Sequence, residues 1–273
     1  MFRKARTLLS VWYAFCLEFR GELALWAVVM ALPLIVMGLW TQAASAPGSD
    51  GLWSLSPTGF VRYFIAVFVV RQLTVAWVIH EFGYLVNTGR LSPLLLQPLD
   101  VGWRFFAAHY SEKAARLPMA LILVVLVVAL FPQAIHGDDG FWWPRWRNLA
   151  WALVFTELGF TVRYLMQYTM CVLAFWVERI EALDFVLYLP YLFLSGMLAP
   201  LDEFPEAART LAMWTPFPYA LYVPSMLLVD GSRFSDLQLL GYLGLVLGWI
   251  AGLWVLNRIA WRAGLKRYSA MGA

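Results

Sequence analysis

Charge is scarce in this sequence, and the motifs that usually carry chemistry are missing from it. Only 14% of the 273 residues are charged while 62% are hydrophobic, a balance that excludes an ordinary soluble domain. Two cysteines, Cys16 and Cys171, support neither a disulfide framework nor a metal site. There is no G-x-x-x-x-G-K-[ST] phosphate loop and no G-x-G-x-x-G turn, so the chain lacks the usual cradle for a nucleotide. His80-Glu81 begins like a zinc-protease motif, but Tyr84 stands where the second histidine belongs. Ser195-Gly196 has no companion histidine at membrane depth, so a serine nucleophile lacks its base. The formal charge of +3 comes without a dense basic block, which argues against nucleic acid. Together these absences argue against an enzyme.

What the chain does contain is a long apolar run, repeated six times, with charges collected between the repeats. The runs cover roughly 22–42, 59–82, 117–135, 149–176, 183–200 and 238–257. Each is long enough to cross a bilayer as a helix, and none alternates as a barrel strand does. The expected fold is an all-α membrane protein, a single transmembrane domain over 1–273 with six transmembrane helices.

Thirteen of the 20 Lys and Arg fall on the side that holds both termini, four fall opposite, and Arg62, Arg71 and Arg163 lie inside spans. The bias places both termini in the cytoplasm of a multi-pass inner-membrane protein. Residues 1–21 read as an interfacial helix, with Leu8, Leu9, Trp12, Phe15, Cys16 and Phe19 on one face. A ragged extension of the first span is the alternative. Trp40, Trp53, Trp142, Trp143 and Trp146 near span ends fit an aromatic belt.

Three features stand out as candidates for function. Arg71, Glu157 and Arg163 are ionisable groups at membrane depth, where each costs about 2.5–3.5 kcal/mol on insertion scales, so each should face the bundle interior or a watery path. Counting from the outer face puts Arg71 roughly 18 Å and Glu157 roughly 12 Å deep, close enough for a pair. That pair serves either helix packing or a transport path, and Arg163 has no assigned partner. Gly244, Gly248 and Gly252 form a flat strip for helix packing, within the chain or against a second subunit. The cytoplasmic segment 83–116 carries an apolar turn, Leu94 to Leu96, bracketed by Pro93 and Pro98, with a further amphipathic helix from about Val101 to Arg116. On the opposite side, residues 201–237 are too apolar for a loop and too interrupted by proline for a seventh span. They read as an interfacial or re-entrant hairpin.

The run "TGRLSPLLLQPL" (88–99), "FLSGMLAP" (193–200) followed by "WTPFPYALY" (214–222), and "GLKRYSAMGA" (264–273) together resemble the permease subunits of type-2 ABC exporters, in a poorly characterised bacterial branch. The resemblance covers essentially the whole chain. It implies a dimer of ABC ATPase subunits that binds ATP and Mg outside this chain, which itself holds no cofactor. It also implies a second permease, identical or homologous, surrounded by membrane lipid. Gly89, Arg90, Leu91, Pro93, Leu94, Leu95, Leu96 and Pro98 are then the contact with the ATPase, and the 201–229 hairpin the outer gate. Gln97 departs from the Arg that members of this branch often carry. A stand-alone secondary transporter using the intramembrane Arg and Glu is the competing reading, and a membrane enzyme is a weaker one.

The topology has a direct test in a variant lacking both native cysteines. A cysteine at Arg104 is expected to escape an impermeant thiol reagent applied to intact cells, and one at Asp50 to react. The reverse pattern inverts the topology.

Overall fold

The computed structural model describes residues 2–49, 51–137, 140–177, 179, 180 and 182–271. Asp50, and Gly272 and Ala273 at the end of the 264–273 run, lie outside them. Helices dominate: α1 (Phe2–Glu18), α2 (Arg20–Val29), α3 (Leu32–Ala44), α4 (Pro57–Thr74), α5 (Val78–Asn87), α6 (Leu91–Leu95) and α7 (Val101–Leu130) form the first half. A two-stranded antiparallel ribbon, β1 (His136–Gly137) and β2 (Gly140–Phe141), precedes α8 (Trp146–Cys171). Then follow α9 (Ala182–Leu194), α10 (Glu206–Trp214), α11 (Phe217–Ala220), α12 (Tyr222–Asp230) and α13 (Asp236–Met271).

Five helical stretches among the described residues are long and apolar enough to cross a bilayer: Arg20–Ala44, Pro57–Asn87, Val101–Leu130, Trp146–Phe175 and Asp236–Tyr268. The stretch expected as a span over 183–200 is helical only to Leu194. Its 13 helical residues rise about 20 Å, short of the hydrocarbon thickness. Helix stops there because Gly196 takes a left-handed φ of 83°, and a Cβ at that position would lie 2.6 Å from the Tyr63 hydroxyl. Ser195, Gly196 and Met197 are nevertheless buried, so this irregular backbone is enclosed by protein.

Two further boundaries depart from the sequence expectation. The second span is broken, with Val75 to Trp77 unwound between α4 and α5, and α5 then continues to Asn87. The segment expected as an independent cytoplasmic helix from Val101 is continuous with the third span as the 30-residue α7. Only residues 88–100 therefore lie between long helices on that side. Pro118 sits inside α7 without ending it.

The bundle is organised around α4, in which nearly every side chain is buried. It packs against α3, α7, α8 and α12. Around it lie two apolar cores. One gathers Phe60, Phe64, Val67, Val70, Phe155, Val162, Tyr219 and Tyr222, and the other gathers Ala76, Ile79, Phe82, Phe105, Leu165, Tyr168 and Phe175. The segment after Pro205 folds back into the first core, where α12 is wedged between α4 and α8 and α11 packs on α8 and α9. Lipid offers helices no hydrophobic gain on contact, so such packing depends on close approach. Gly159 of α8 supplies it: a Cβ there would stand 2.6 Å from the Ala220 Cα.

At the hairpin end, polar contacts fix the irregular backbone. Arg62 donates to the carbonyls of Ala134 (2.8 Å) and Gly140 (3.2 Å). Asp202 receives Arg209 at 3.0 Å, Arg233 at 3.1 Å and the Tyr222 hydroxyl at 2.7 Å. Burial alone would raise the Asp230 pKa, but hydrogen bonds from Ser232 and Arg233 outweigh it and hold the carboxyl below its ordinary range. Trp40 and Trp142, expected in an aromatic belt, instead donate to the carbonyls of Leu198 (2.8 Å) and Leu228 (2.9 Å). Trp143 and Trp146 are exposed as a belt requires.

The N-terminal helix lies along α7 rather than only along an interface. Leu8, Leu9, Trp12 and Cys16 are half buried, and the Ser111 hydroxyl donates to the Leu9 carbonyl at 3.0 Å. Phe15 and Phe19, placed on the same face by their spacing, are half exposed. Burial, with the Glu112 carboxylate nearby, pushes the Cys16 thiol up to about 11.

Among the described residues, nothing packs on the glycine strip of α13. Nothing lies within 4 Å of a Cβ built on Gly244, Gly248 or Gly252. The two kinds of glycine should separate in thermal unfolding of the purified protein. Gly159→Val is expected to cost about 1–3 kcal/mol by overpacking, and Gly248→Val to stay within about 0.5 kcal/mol. Equal losses would contradict the packing described.

Candidate functional site

The site begins with a helix that a proline interrupts. Pro33 has no N–H, and Leu34 bonds the Ala31 carbonyl instead of reaching back to Met30. The Met30 carbonyl is left without a helical partner at a depth where water cannot supply one. Arg71 of α4 fills the vacancy, with its Nη1 2.8 Å from the Met30 oxygen. One turn further in register, Gln72 donates to the Ala27 carbonyl at 3.2 Å.

Three residues after Arg71 the α4 helix ends. Val75 is extended (φ −74°, ψ 142°), and no proline or glycine enforces the break. The new N-terminus of α5 leaves free N–H groups, of which Ile79 N–H finds the Gln167 side-chain oxygen at 3.3 Å.

Beside this break lies a narrow cavity of about 50 Å³, lined by Arg71, Val75, Ala76, Trp77, Arg163, Gln167, Asp184, Tyr188 and Tyr191, among others. Arg163 stacks over the Tyr191 ring, 4.0 Å from its centre. Asp184, the one carboxylate lining the cavity among the described residues, is already engaged. It accepts from Gln167 at 2.5 Å and lies 3.4 Å from His80. Arg163 Nη1 and the Tyr191 hydroxyl are buried with no hydrogen-bonding partner.

The cavity sits where the two apolar cores meet. Val70 and Val162 belong to one core, and Ala76 and Leu165 to the other, so Arg71 and Arg163 occupy the seam. This corrects the expected pairing of Arg71 with Glu157. Glu157 is held by Lys113 at 2.6 Å, and Arg71 by a backbone carbonyl. Lys113 was assigned to a cytoplasmic loop, but the continuity of α7 brings it level with Glu157. Of the three intramembrane groups, the structure brings Arg71 and Arg163 together and leaves Glu157 apart.

Gln167, Asp184, Tyr188 and Tyr191 were not singled out from the sequence. Single polar residues in apolar runs carry no direction until the helices are packed. The proline at position 33 was the one visible sign that a carbonyl would need a donor.

The second candidate is the 88–100 connection. Gly89 takes φ 70°, which turns the chain out of α5. Arg90 lies over the Tyr84 ring, and Leu91 is fully buried in the second core as an anchor. Ser92 meets the Tyr268 hydroxyl at 3.0 Å, and Asp100 caps α7 while pairing with Arg258 at 2.9 Å. Both clamps come from α13. Between them the chain presents its apolar side outward: Pro93 and Pro98 are exposed, Leu94 is half buried, and Leu96 is 88% exposed.

The family model described as "ABC-2 family transporter protein" matches residues 29–272 of the chain. No curated protein matches it at a significant level.

The observed ion pairs can be told apart from the expected one by double-mutant cycles read in thermal unfolding. Lys113→Met and Glu157→Gln should be coupled by about 0.5–1 kcal/mol, discounted because the Glu157 side chain is half exposed. Arg71→Met and Glu157→Gln should simply add. Additivity in the first cycle would remove Lys113 as the partner.

Proposed function

We propose that this chain, which belongs to the ABC-2 transporter family, is the permease subunit of an ATP-driven exporter that takes its energy from a separate ATPase docked on residues 88–100. The family membership makes it a membrane component of an ABC transporter. The exporter direction, the docking surface and the subunit composition are the further steps of the proposal.

The observation that carries the docking site is the combination of clamped ends and an exposed apolar middle. Leu91, Ser92 and Asp100 fix the loop to the bundle, while Leu95, Leu96 and Leu99 are offered outward. An apolar turn beyond the lipid is costly unless a partner's groove covers it. A loop held this firmly at both ends passes a push on its leucines into α5 and α13 rather than absorbing it. ATP and Mg bind in the partner.

In the proposed arrangement both termini face the cytoplasm of a bacterial inner membrane, as the Lys and Arg distribution supports. The sixth crossing is completed by α9 together with the buried, non-helical 195–200 segment. The 201–237 region forms a re-entrant hairpin at the outer end. A second permease, identical or homologous, completes the pathway, and lipid covers the exposed apolar faces of α3 and α13.

Secondary transport is the competing reading, favoured by the broken α4–α5 helix, a form common in such transporters. Association with an ATPase decides between them. The double variant Leu95→Asp, Leu96→Asp is expected to lose pull-down of its ATPase while keeping membrane insertion and an unchanged unfolding temperature. A well-folded variant that still binds the ATPase and supports full turnover removes this loop from the mechanism.

A further inference from the structure

We propose that the cavity at the α4–α5 break is a recognition site for an oxyanion, a carboxylate or phosphate group carried by an amphipathic cargo. This deepens the permease reading by naming the cargo's chemical class, and it rests on that reading for the word cargo alone.

Two guanidinium groups, Arg71 and Arg163, line one cavity, and the carboxylate they share it with, Asp184, has both oxygens turned to Gln167 and His80. The described lining therefore carries one positive charge more than it neutralises. Water can satisfy hydrogen bonds there but cannot remove the charge, which is expensive at membrane depth.

Both polar atoms left over can donate. Arg163 Nη1 can only donate, and the Tyr191 hydroxyl is free to donate. The N-terminus of α5, a ten-residue helix, opens beside them and adds the positive end of its dipole. A set of donors around a positive field selects a ligand made of acceptors with negative charge.

Size points the same way. A cavity of about 50 Å³ holds roughly three to five waters at about 10–15 Å³ each, or one carboxylate or phosphate group. It is too small for a whole amphiphile, so the rest of such a molecule must lie outside it. Arg163 is only half buried, which leaves the cavity approachable from its side.

The test uses the purified permease in neutral detergent, without its ATPase, and reads thermal unfolding as ligand is added. The probes are dioctanoyl phosphatidic acid, dioctanoylglycerol, which has the same chains and no oxyanion, and inorganic phosphate. Phosphatidic acid is expected to raise the unfolding temperature in a saturable way, and dioctanoylglycerol not to. In Arg163→Gln the apparent affinity should fall about tenfold or more, as expected when a charge-assisted bond is lost. Tyr191→Phe, which keeps the ring and removes the hydroxyl, should weaken it less.

Arg71 is left untouched because it also holds the Met30 carbonyl. Stabilisation by inorganic phosphate that is likewise lost in Arg163→Gln would support the oxyanion site and assign it to a free anion in place of an amphiphile. Equal stabilisation by dioctanoylglycerol, or an undiminished response in both variants, would overturn the proposal. If Arg163→Gln fails to fold, Tyr191→Phe alone decides. None of these results depends on ATPase docking, so the site and the permease reading fail separately.

Discussion

The bond from Arg71 to the Met30 carbonyl is the constraint around which the membrane part is arranged. A proline in a transmembrane helix frees a backbone carbonyl, and in hydrocarbon an unmet polar group costs several kcal/mol. The chain meets that cost with a guanidinium from the neighbouring helix. Placing the guanidinium there brings a full charge to the same depth, and the rest of the polar layer follows from it. Gln72, Gln167, Asp184 and the two tyrosines gather where Arg71 must be, because lipid-facing positions would strand them. A defect in one helix is thus repaired by a feature that becomes the most distinctive chemistry of the bundle.

That polar layer divides the interior. The core with Phe60, Phe155 and Tyr222 and the core with Phe82, Tyr168 and Phe175 touch across it mainly through α8 and α13. Apolar side chains interdigitate and resist sliding, whereas hydrogen-bonded polar contacts have alternative partners within reach. The unwound residues 75–77 lie at the same level, so the helix that links the cores has its least constrained backbone there. A small rotation of one core against the other would be concentrated at this seam.

Much of the fold was legible in the sequence because bilayer thickness is a strong ruler. Five of the expected runs are the long helices, whereas the turn expected over Leu94–Leu96 begins inside α6, which spans Leu91–Leu95 and contains Pro93. The errors share a physical origin. "TVAWV" at 74–78 contains neither proline nor glycine, and its break depends on partners far away in sequence, Gln167 among them. Residues 101–116 read as a separate surface helix because they are charged, yet Arg116 and Lys113 are buried against Glu112 and Glu157. Depth counted along single helices placed Arg71 near Glu157, but depth says nothing about azimuth, and azimuth gave Glu157 to Lys113. The glycines of α13 announced close packing without naming the surface, and the described residues provide none.

The connection between the seam and the 88–100 loop is short and stiff. Helix α5 starts at the cavity and ends at the loop, and its ten residues span about 15 Å. Its inner face, Val78, Ile79 and Phe82, is fully buried in the second core, so it moves with that core rather than bending alone. At the far end Leu91 is buried in the same core, and Arg258 of α13 grips Asp100. Displacement of the exposed leucines therefore reaches the N-terminus of α5 through packed side chains, with Gly89 as the one residue in a left-handed conformation on the way. Because that N-terminus contributes to the cavity's field, pulling it aside weakens the donor set facing Arg71 and Arg163. On the proposed reading, the stroke that a partner delivers at the loop and the release of a bound oxyanion at the seam are two ends of one rigid element.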